Sequence, residues 1–253
     1  MQPEKEQGGA FAGKSAADGG HDAACVGVIL PVFNEARTID EVMRRVLAQP
    51  CVCEVIAVND ASNDGTIEIL RSWQQRDPRV RILEHPANRG KGAAIRTGWA
   101  ASTAPVVIIQ DGDLEYDPKD YARMLQLILS GQADVVYGSR FIGENNLSNP
   151  GWHTFGNRCL TWCSNFASGL KLTDEATCYK MFRREVLKRI DLKENGFGFC
   201  PEVTAKISKL GVRIREVSIS YSGRTKAQGK KIRLKDGFNA LGCIIKYNFI
   251  RRP

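Results

Sequence analysis

Short apolar runs alternate with amphipathic stretches through the first half of the chain, a rhythm that spells successive βαβ units. Residues 26–32 (VGVILPV) predict a first strand. Residues 38–49 predict a helix with Ile39, Val42, Met43, Val46 and Leu47 on one face. The alternation continues with strands expected at 54–58, 80–83, 106–110 and 134–137, and helices at 64–75, 90–102 and 118–130. After Gly138 the rhythm changes. Helices are expected at 151–170, 184–190, 201–210 and 234–249, and strands near 178–182 and 213–221. Residues 1–24, rich in Gly, Ala and charge without periodicity, read as a disordered tail. The pattern predicts a single α/β domain over 25–253, with a mostly parallel central sheet flanked by helices and no internal repeat.

The stretch with the most chemistry is VVIIQDGDLEYDP, 106–118. Four apolar residues fit a strand buried on both faces. They run into Asp111, Asp113 and Glu115, placed where open α/β sheets bind ligands, beyond the carboxyl ends of the strands. Hard oxygen donors there suit Mg²⁺ or Mn²⁺, which takes one or two carboxylates and completes its shell with substrate phosphates. The other reading is an acidic loop leading into a helix, because Asp117-Pro118 is a good helix start.

The remaining strand exits add polar groups. The first delivers Asn34 and Glu35, with Pro31 at the strand's exit. The second ends VNDASNDGT, placing Asp60 to accept from a base or ribose, or to close an Asx turn. Asn88-Arg89-Gly90-Lys91-Gly92 precedes a helix, where glycines let a backbone approach phosphate. Gly138-Ser139-Arg140 ends the fifth strand with an arginine suited to fork onto phosphate. No GxGxxG follows the first strand and no GxxxxGK[ST] occurs, which argues against a nicotinamide dehydrogenase and a P-loop phosphotransferase.

Composition changes the picture in one respect. The formal charge of +8 is concentrated at the end: from Ala205 onward there are 13 Lys and Arg against two acids. A basic C-terminal quarter beside a near-neutral body points to a polyanionic partner. The run YSGRTKAQGKK (221–231) reads as a basic clamp or as a solvated loop. Nucleic acid is disfavoured, because no stacking aromatics interleave with the Lys and Arg. The start lacks the apolar core of a signal peptide, and the eight cysteines are expected to be reduced, in a cytoplasmic protein.

In order, LPVFNE, VNDASNDGT, NRGKGAAIRTG, QDGDLEYDP, VVYGSR, TDEATCYKMFRREVL and EVSISYSGRTKAQGKK resemble the family-2 glycosyltransferases of the GT-A fold, in the dolichyl-phosphate mannosyltransferase-like branch. The resemblance runs from about Val26 to the end. It implies a Rossmann-like GT-A domain whose 25–140 half binds the nucleotide sugar and whose 141–253 half serves the acceptor. The implied reaction moves a sugar, GDP-mannose being the favoured donor, to polyprenyl or dolichyl phosphate with inversion. UDP-glucose, UDP-N-acetylglucosamine or a non-lipid acceptor are the alternatives within the class; a non-catalytic nucleotide-sugar-binding module is the alternative outside it.

Residue by residue, the resemblance implies that Pro31, Phe33 and Glu35 line the nucleotide pocket, with Val58 and Asp60 near base and ribose. Asp111, Gly112 and Asp113 match the D-x-D motif for the metal, and Glu115 stands as a further ligand. Lys91 and Arg140 meet phosphates, Arg224 and Lys230 close over them, and Asp174 matches an acid sometimes given a base role. Two departures stand out: Asn59 replaces the first acid of the usual pair, and NLSNPGWHTFGN replaces a basic stretch, leaving His153 as a phosphate contact or a packed residue. No stretch approaches the length of a membrane span. A lipid acceptor would therefore be reached peripherally at the cytoplasmic face or through a membrane-anchoring partner protein. The segment 234–249, with Phe238, Leu241, Ile244, Ile245 and Phe249, suits an interfacial helix or a core-packed one.

Overall fold

The computed structural model describes residues 25–143, 152–223 and 234–250. The expected tail 1–24, the side chain of His153, and Arg224 and Lys230 lie outside the described residues. Seven strands form one sheet in the order β3-β2-β1-β4-β6-β5-β7. They are β1 (Val26–Val32), β2 (Val52–Asn59), β3 (Val80–Glu84), β4 (Val106–Ile109), β5 (Val135–Ser139), β6 (Lys180–Arg183) and β7 (Ile214–Ser218). Neighbours run parallel, except that β6 is antiparallel to both β4 and β5.

The helices are α1 (Ile39–Leu47), α2 (Thr66–Arg76), α3 (Lys91–Ala101), α4 (Tyr121–Leu129), α5 (Trp152–Ser168), α6 (Arg184–Leu187), α7 (Phe199–Ser208) and α8 (Leu234–Ile245). Strand periodicity sorts the core into two layers. Val28 and Leu30 of β1 and Ile108 of β4 join Met43 of α1 and Met124 of α4. Their neighbours Ile29, Val107 and Ile109 point the other way, onto Ile95 of α3 and Phe199 and Val203 of α7. Both β1 and β4 are buried along their whole length, which is why they carry unbroken apolar runs rather than alternating ones.

Some element ends differ from expectation. A 3-10 turn, Pro118–Asp120, precedes α4, and the Asp117 carboxylate accepts the Lys119 N–H at 3.0 Å. Asp117-Pro118 thus opens a helix. β7 stops at Ser218, and Tyr221 instead makes an isolated bridge to Tyr116. The cysteines are not all free: Cys25 and Cys53 form a disulfide, with Cα atoms 5.4 Å apart. The β1–β2 register slips between Val26 and Gly27, so Cys53 stands as an extra, exposed residue beside Cys25.

Of the alternatives for 234–249, the structure shows core packing on one face and leaves the other face exposed. α8 continues as a π-helical stretch, Lys246–Ile250. Ala240, Cys243, Ile244 and Tyr247 are buried, and the helix packs against α5 and α7. Phe238, Leu241, Ile245, Phe249 and Ile250 are exposed. The helix is thus apolar on both faces, one packed on the core and one exposed.

Candidate active site

Strand order reverses between β1 and β4, and their carboxyl ends frame a crevice where sheets of this kind hold ligands. A cavity of about 360 Å³ opens there. Its wall includes Pro31, Phe33 and Glu35 from the β1 exit, Asp60 from β2, and Lys91 at the start of α3. Asp111, Gly112, Asp113 and Glu115 follow β4, and Arg140 follows β5. Ten residues singled out on the sequence are therefore gathered around one space. Thr38 ties two of its rims together, since its Oγ1 donates to the Gly112 carbonyl at 2.8 Å.

Two cations stand in the wall. Lys91 Nζ lies 2.6 Å from Asp111 Oδ1 and 2.9 Å from Cys178 Sγ. Burial works against the Lys91 ammonium, but the Asp111 carboxylate and the Cys178 sulfur outweigh it and hold its pKa well above the usual lysine range. Arg140 grips Asp174 through two contacts, Nε to Oδ2 at 2.6 Å and Nη2 to Oδ1 at 2.7 Å. The same Oδ2 accepts the Arg140 backbone N–H at 3.1 Å. Asp174 is fully buried, and the described bonds of its carboxylate all go to Arg140. The guanidinium also lies 5.2 Å from the Tyr221 ring centre. Tyr221 in turn donates its hydroxyl to Glu115 Oε2 at 2.9 Å.

The acids beyond β4 divide in role. Asp113 is 6% exposed, and its Oδ1 accepts the Glu115 N–H at 3.0 Å, which fixes the turn. Asp111 Oδ1 is buried and has no hydrogen bond of good geometry, with the Lys91 ammonium 2.6 Å away. Among the described residues no three acids, histidines or cysteines converge as a metal cluster. Asp111, Asp113 and Glu115, the expected trio, all line the cavity, and Glu115 Oε2 is engaged by the Tyr221 hydroxyl. What remains fits Mg²⁺ or Mn²⁺ of the kind that takes one or two carboxylates and fills its shell from phosphate. The buried, unsatisfied oxygen of Asp111 is the feature that fits, and the Lys91 ammonium competes with a metal for it.

Two expectations change in physical meaning. Asp60 lines the cavity, but both its oxygens are engaged. Oδ1 meets His85 Nδ1 at 2.6 Å and accepts the Arg89 N–H at 2.9 Å, while Oδ2 accepts the Gly90 N–H at 2.7 Å. His85 is held from behind by Thr97 Oγ1 at 2.9 Å. Asp60 therefore shapes the 88–91 loop. Replacing it by Asn leaves one acceptor oxygen for three donors. Exchange of the Arg89 and Gly90 amides should then rise at least ~10-fold, the equivalent of one lost hydrogen bond of about 1.4 kcal/mol. Unchanged protection by hydrogen-exchange NMR would contradict that role.

The glycines of the same loop answer to protein as well as to ligand. A Cβ on Gly92 would stand 2.3 Å from the Glu194 carbonyl oxygen, and one on Gly90 2.5 Å from that of Asn195. Gly90 also has φ +93°. The Asn195 carbonyl accepts the Ala93 N–H at 3.1 Å, taking one of the first-turn donors of α3. Val58 does not reach the cavity; it is buried beneath α3, clustered with Ile56 and Ala94.

Sequence reasoning missed Tyr116, Tyr221, Phe197, Asn157 and Cys178, all in the wall. Tyr116 stacks on Tyr179 with ring centres 4.8 Å apart, and so braces the loop after β4. The Cys178 thiol is drawn below the usual thiol range by its contact with Cys200 and by the Lys91 ammonium, against burial, which pushes it up. These residues come from elements distant in sequence, and only the packing of β6, α5 and α7 brings them in. A broader depression of about 810 Å³ at the opposite strand ends holds none of these groups; Arg79 and Arg81 there contact Asp77 and Glu54.

Comparison with known proteins gives a consistent family. The model for "Glycosyl transferase family 2" matches residues 27–191. The undecaprenyl-phosphate mannosyltransferase of Micrococcus luteus is 29% identical over 80% of this chain and 85% of its own. The polyprenol monophosphomannose synthase of Mycolicibacterium smegmatis is 28% identical over 81% of this chain and 82% of its own. In fold, the chain is similar to glucosyl-3-phosphoglycerate synthase from Mycobacterium tuberculosis, solved with Mn²⁺ and UDP-glucose. That likeness has a TM-score of 0.72 at 18% identity and covers 96% of this chain and 86% of that one.

Proposed function

The chain belongs to glycosyl transferase family 2, and we propose that it moves a hexose, mannose from GDP-mannose by preference, to a polyprenyl or dolichyl phosphate with inversion. The observation that carries this reading is the gathering of Glu35, Lys91, Asp111, Asp113 and Arg140 around one cavity at the β1–β4 switch point. The names of the two mannosyl relatives support the lipid-phosphate acceptor and the sugar.

Asp111 and Asp113 would hold Mg²⁺ or Mn²⁺, whose charge would offset that of the departing nucleoside diphosphate. Lys91 supplies a fixed positive charge at the same carboxylate. Arg140, locked by Asp174, presents a preorganised guanidinium for the phosphate of the acceptor. Arg224 and Lys230 would add positive charge from the basic loop. An acceptor phosphate oxygen is already ionised at neutral pH, so the reaction does not need a strong base. Asp174, buried against Arg140, serves better as that residue's anchor than as a base. In this arrangement 25–140 handles the donor and 141–253 the acceptor, with Arg140 at the junction reaching the acceptor phosphate. A radiolabelled donor screen with short polyprenyl phosphate and Mg²⁺ or Mn²⁺ tests the reading. Transfer from GDP-mannose supports it, transfer from UDP-sugars moves it to the alternative donors, and nucleotide binding without transfer overturns it.

The acceptor's location follows from two helices. On α5, which contributes Asn157 to the cavity wall, Phe155, Cys159, Trp162 and Phe166 recur at helical spacing and are exposed. α5 packs on α8, whose outer face carries Phe238, Leu241, Ile245 and Phe249. No helix among the described residues is long and apolar enough to cross a membrane. We assign this joint apolar face to a lipid surface, with the basic C-terminal quarter matching anionic headgroups. Each large side chain buried contributes about 1.5–3 kcal/mol. The double variant Trp162→Glu with Phe238→Glu should therefore lose at least ~10-fold in co-sedimentation with anionic vesicles. Undiminished vesicle binding by a folded double variant would defeat the assignment.

A further inference from the structure

Cys178 is the feature of the cavity wall that glycosyl transfer leaves without a task. It follows the Asp174–Thr177 loop into β6, and its Sγ stands 2.9 Å from Lys91 Nζ and 3.9 Å from Cys200 Sγ. The two thiols approach from separate elements, Cys178 beside the cavity and Cys200 in the first turn of α7. Cys200 is buried, and its Sγ also contacts the Thr177 carbonyl at 3.5 Å. The other described free cysteines lack this combination. Cys159 is exposed and Cys243 is buried in a separate cluster with Ala205 and Tyr247.

We propose that Cys178 and Cys200 form a peroxide-sensitive thiol pair, in which Cys178 is the reacting sulfur and Cys200 the resolving one. The Lys91 ammonium favours the thiolate form of Cys178, and the cavity gives a small oxidant access to it. In the first step the Cys178 thiolate attacks one oxygen of hydrogen peroxide. An S–O bond forms, the O–O bond breaks, and hydroxide leaves, so sulfur is oxidised to sulfenic acid and peroxide is reduced. In the second step the Cys200 sulfur attacks the Cys178 sulfur. The S–S bond forms, the S–O bond breaks, and the departing hydroxide takes the Cys200 proton to leave as water. The sulfurs must close from 3.9 Å to about 2.05 Å, a movement within reach of side-chain rotation. The disulfide draws the Cys178 sulfur off Lys91, so oxidation frees the cation that faces Asp111.

The test reads sulfur chemistry by mass and stands apart from any assignment of donor or acceptor. The full chain, treated with low hydrogen peroxide and digested without reduction, should yield a Cys178–Cys200 cross-linked peptide as the main new disulfide. In Cys200→Ser the oxidation should stop one step earlier, with a dimedone adduct accumulating on Cys178. Cys178 should react at least ~10-fold faster than the exposed Cys159. The proposal is overturned if Cys159 reacts first, if Cys178 stays reduced while other cysteines oxidise, or if Cys200→Ser leaves no trapped adduct. Lys91→Met separates the cause: a loss of the Cys178 rate advantage assigns it to the ammonium, and an unchanged advantage overturns that part.

Discussion

Asp113→Ala is expected to leave a folded protein that no longer transfers sugar, with kcat/KM lowered by at least ~10³-fold, the scale of losing a principal electrostatic contact at the reacting centre. Asp113 is 6% exposed and lines the cavity, so removing its carboxylate takes negative charge from the site. The bond it accepts from the Glu115 N–H is worth about 1 kcal/mol. Asp111→Asn should behave similarly with an added signature, because it also strips Lys91 of its carboxylate at 2.6 Å. Circular dichroism and a melting curve near that of the parent, with transfer lost at saturating Mn²⁺, are the expected pair of results. Transfer by Asp113→Ala at the parental rate would remove the carboxylate from the mechanism.

The second large effect falls on stability. Asp174→Ala leaves Arg140, 9% exposed at its side chain, without its carboxylate. An uncompensated buried charge costs about 3–5 kcal/mol. For a chain of this size that lowers the melting temperature on the order of 10 °C. The double variant Arg140→Met with Asp174→Leu removes both charges and should regain most of the stability while remaining inactive. The contrast separates the pair's structural share from the catalytic share of Arg140. A parental melting point for Asp174→Ala, or transfer by the double variant, would refute this division of labour.

The site was legible where strand periodicity and strand exits are local. The apolar runs ending at Val32, Asn59 and Ile109 place Glu35, Asp60 and Asp111 at one edge by topology alone. What the residues did not disclose is how each carboxylate is used. Asp60, Asp174 and Glu115 are all acids at the right place, yet their partners are His85, Arg140 and Tyr221, at separations of 25, 34 and 106 residues. Such pairings depend on tertiary packing, which no local pattern encodes. The outer face of α8 was read as interfacial or core-packed, because spacing does not say how wide an apolar stripe its neighbours cover. Phe197 and Cys178 went unseen for a related reason, as neither sits at the carboxyl end of a parallel strand.

Glu194 has a wider consequence. Its Oε1 accepts from both Lys246 and Tyr247 of the terminal π-helical stretch, each at 2.7 Å. Its carbonyl accepts from Arg96 of α3 at 2.5 Å and abuts Gly92, one residue from Lys91. The end of the chain and the cation-bearing loop are thus fastened to the same residue. If docking of the terminal helix steadies Glu194, and through it the Lys91 loop, the two equilibria favour one another. Linkage then works in reverse by the same factor: whatever settles that loop tightens the hold of the outer face, so a loaded molecule would dwell longer at the lipid surface than an empty one.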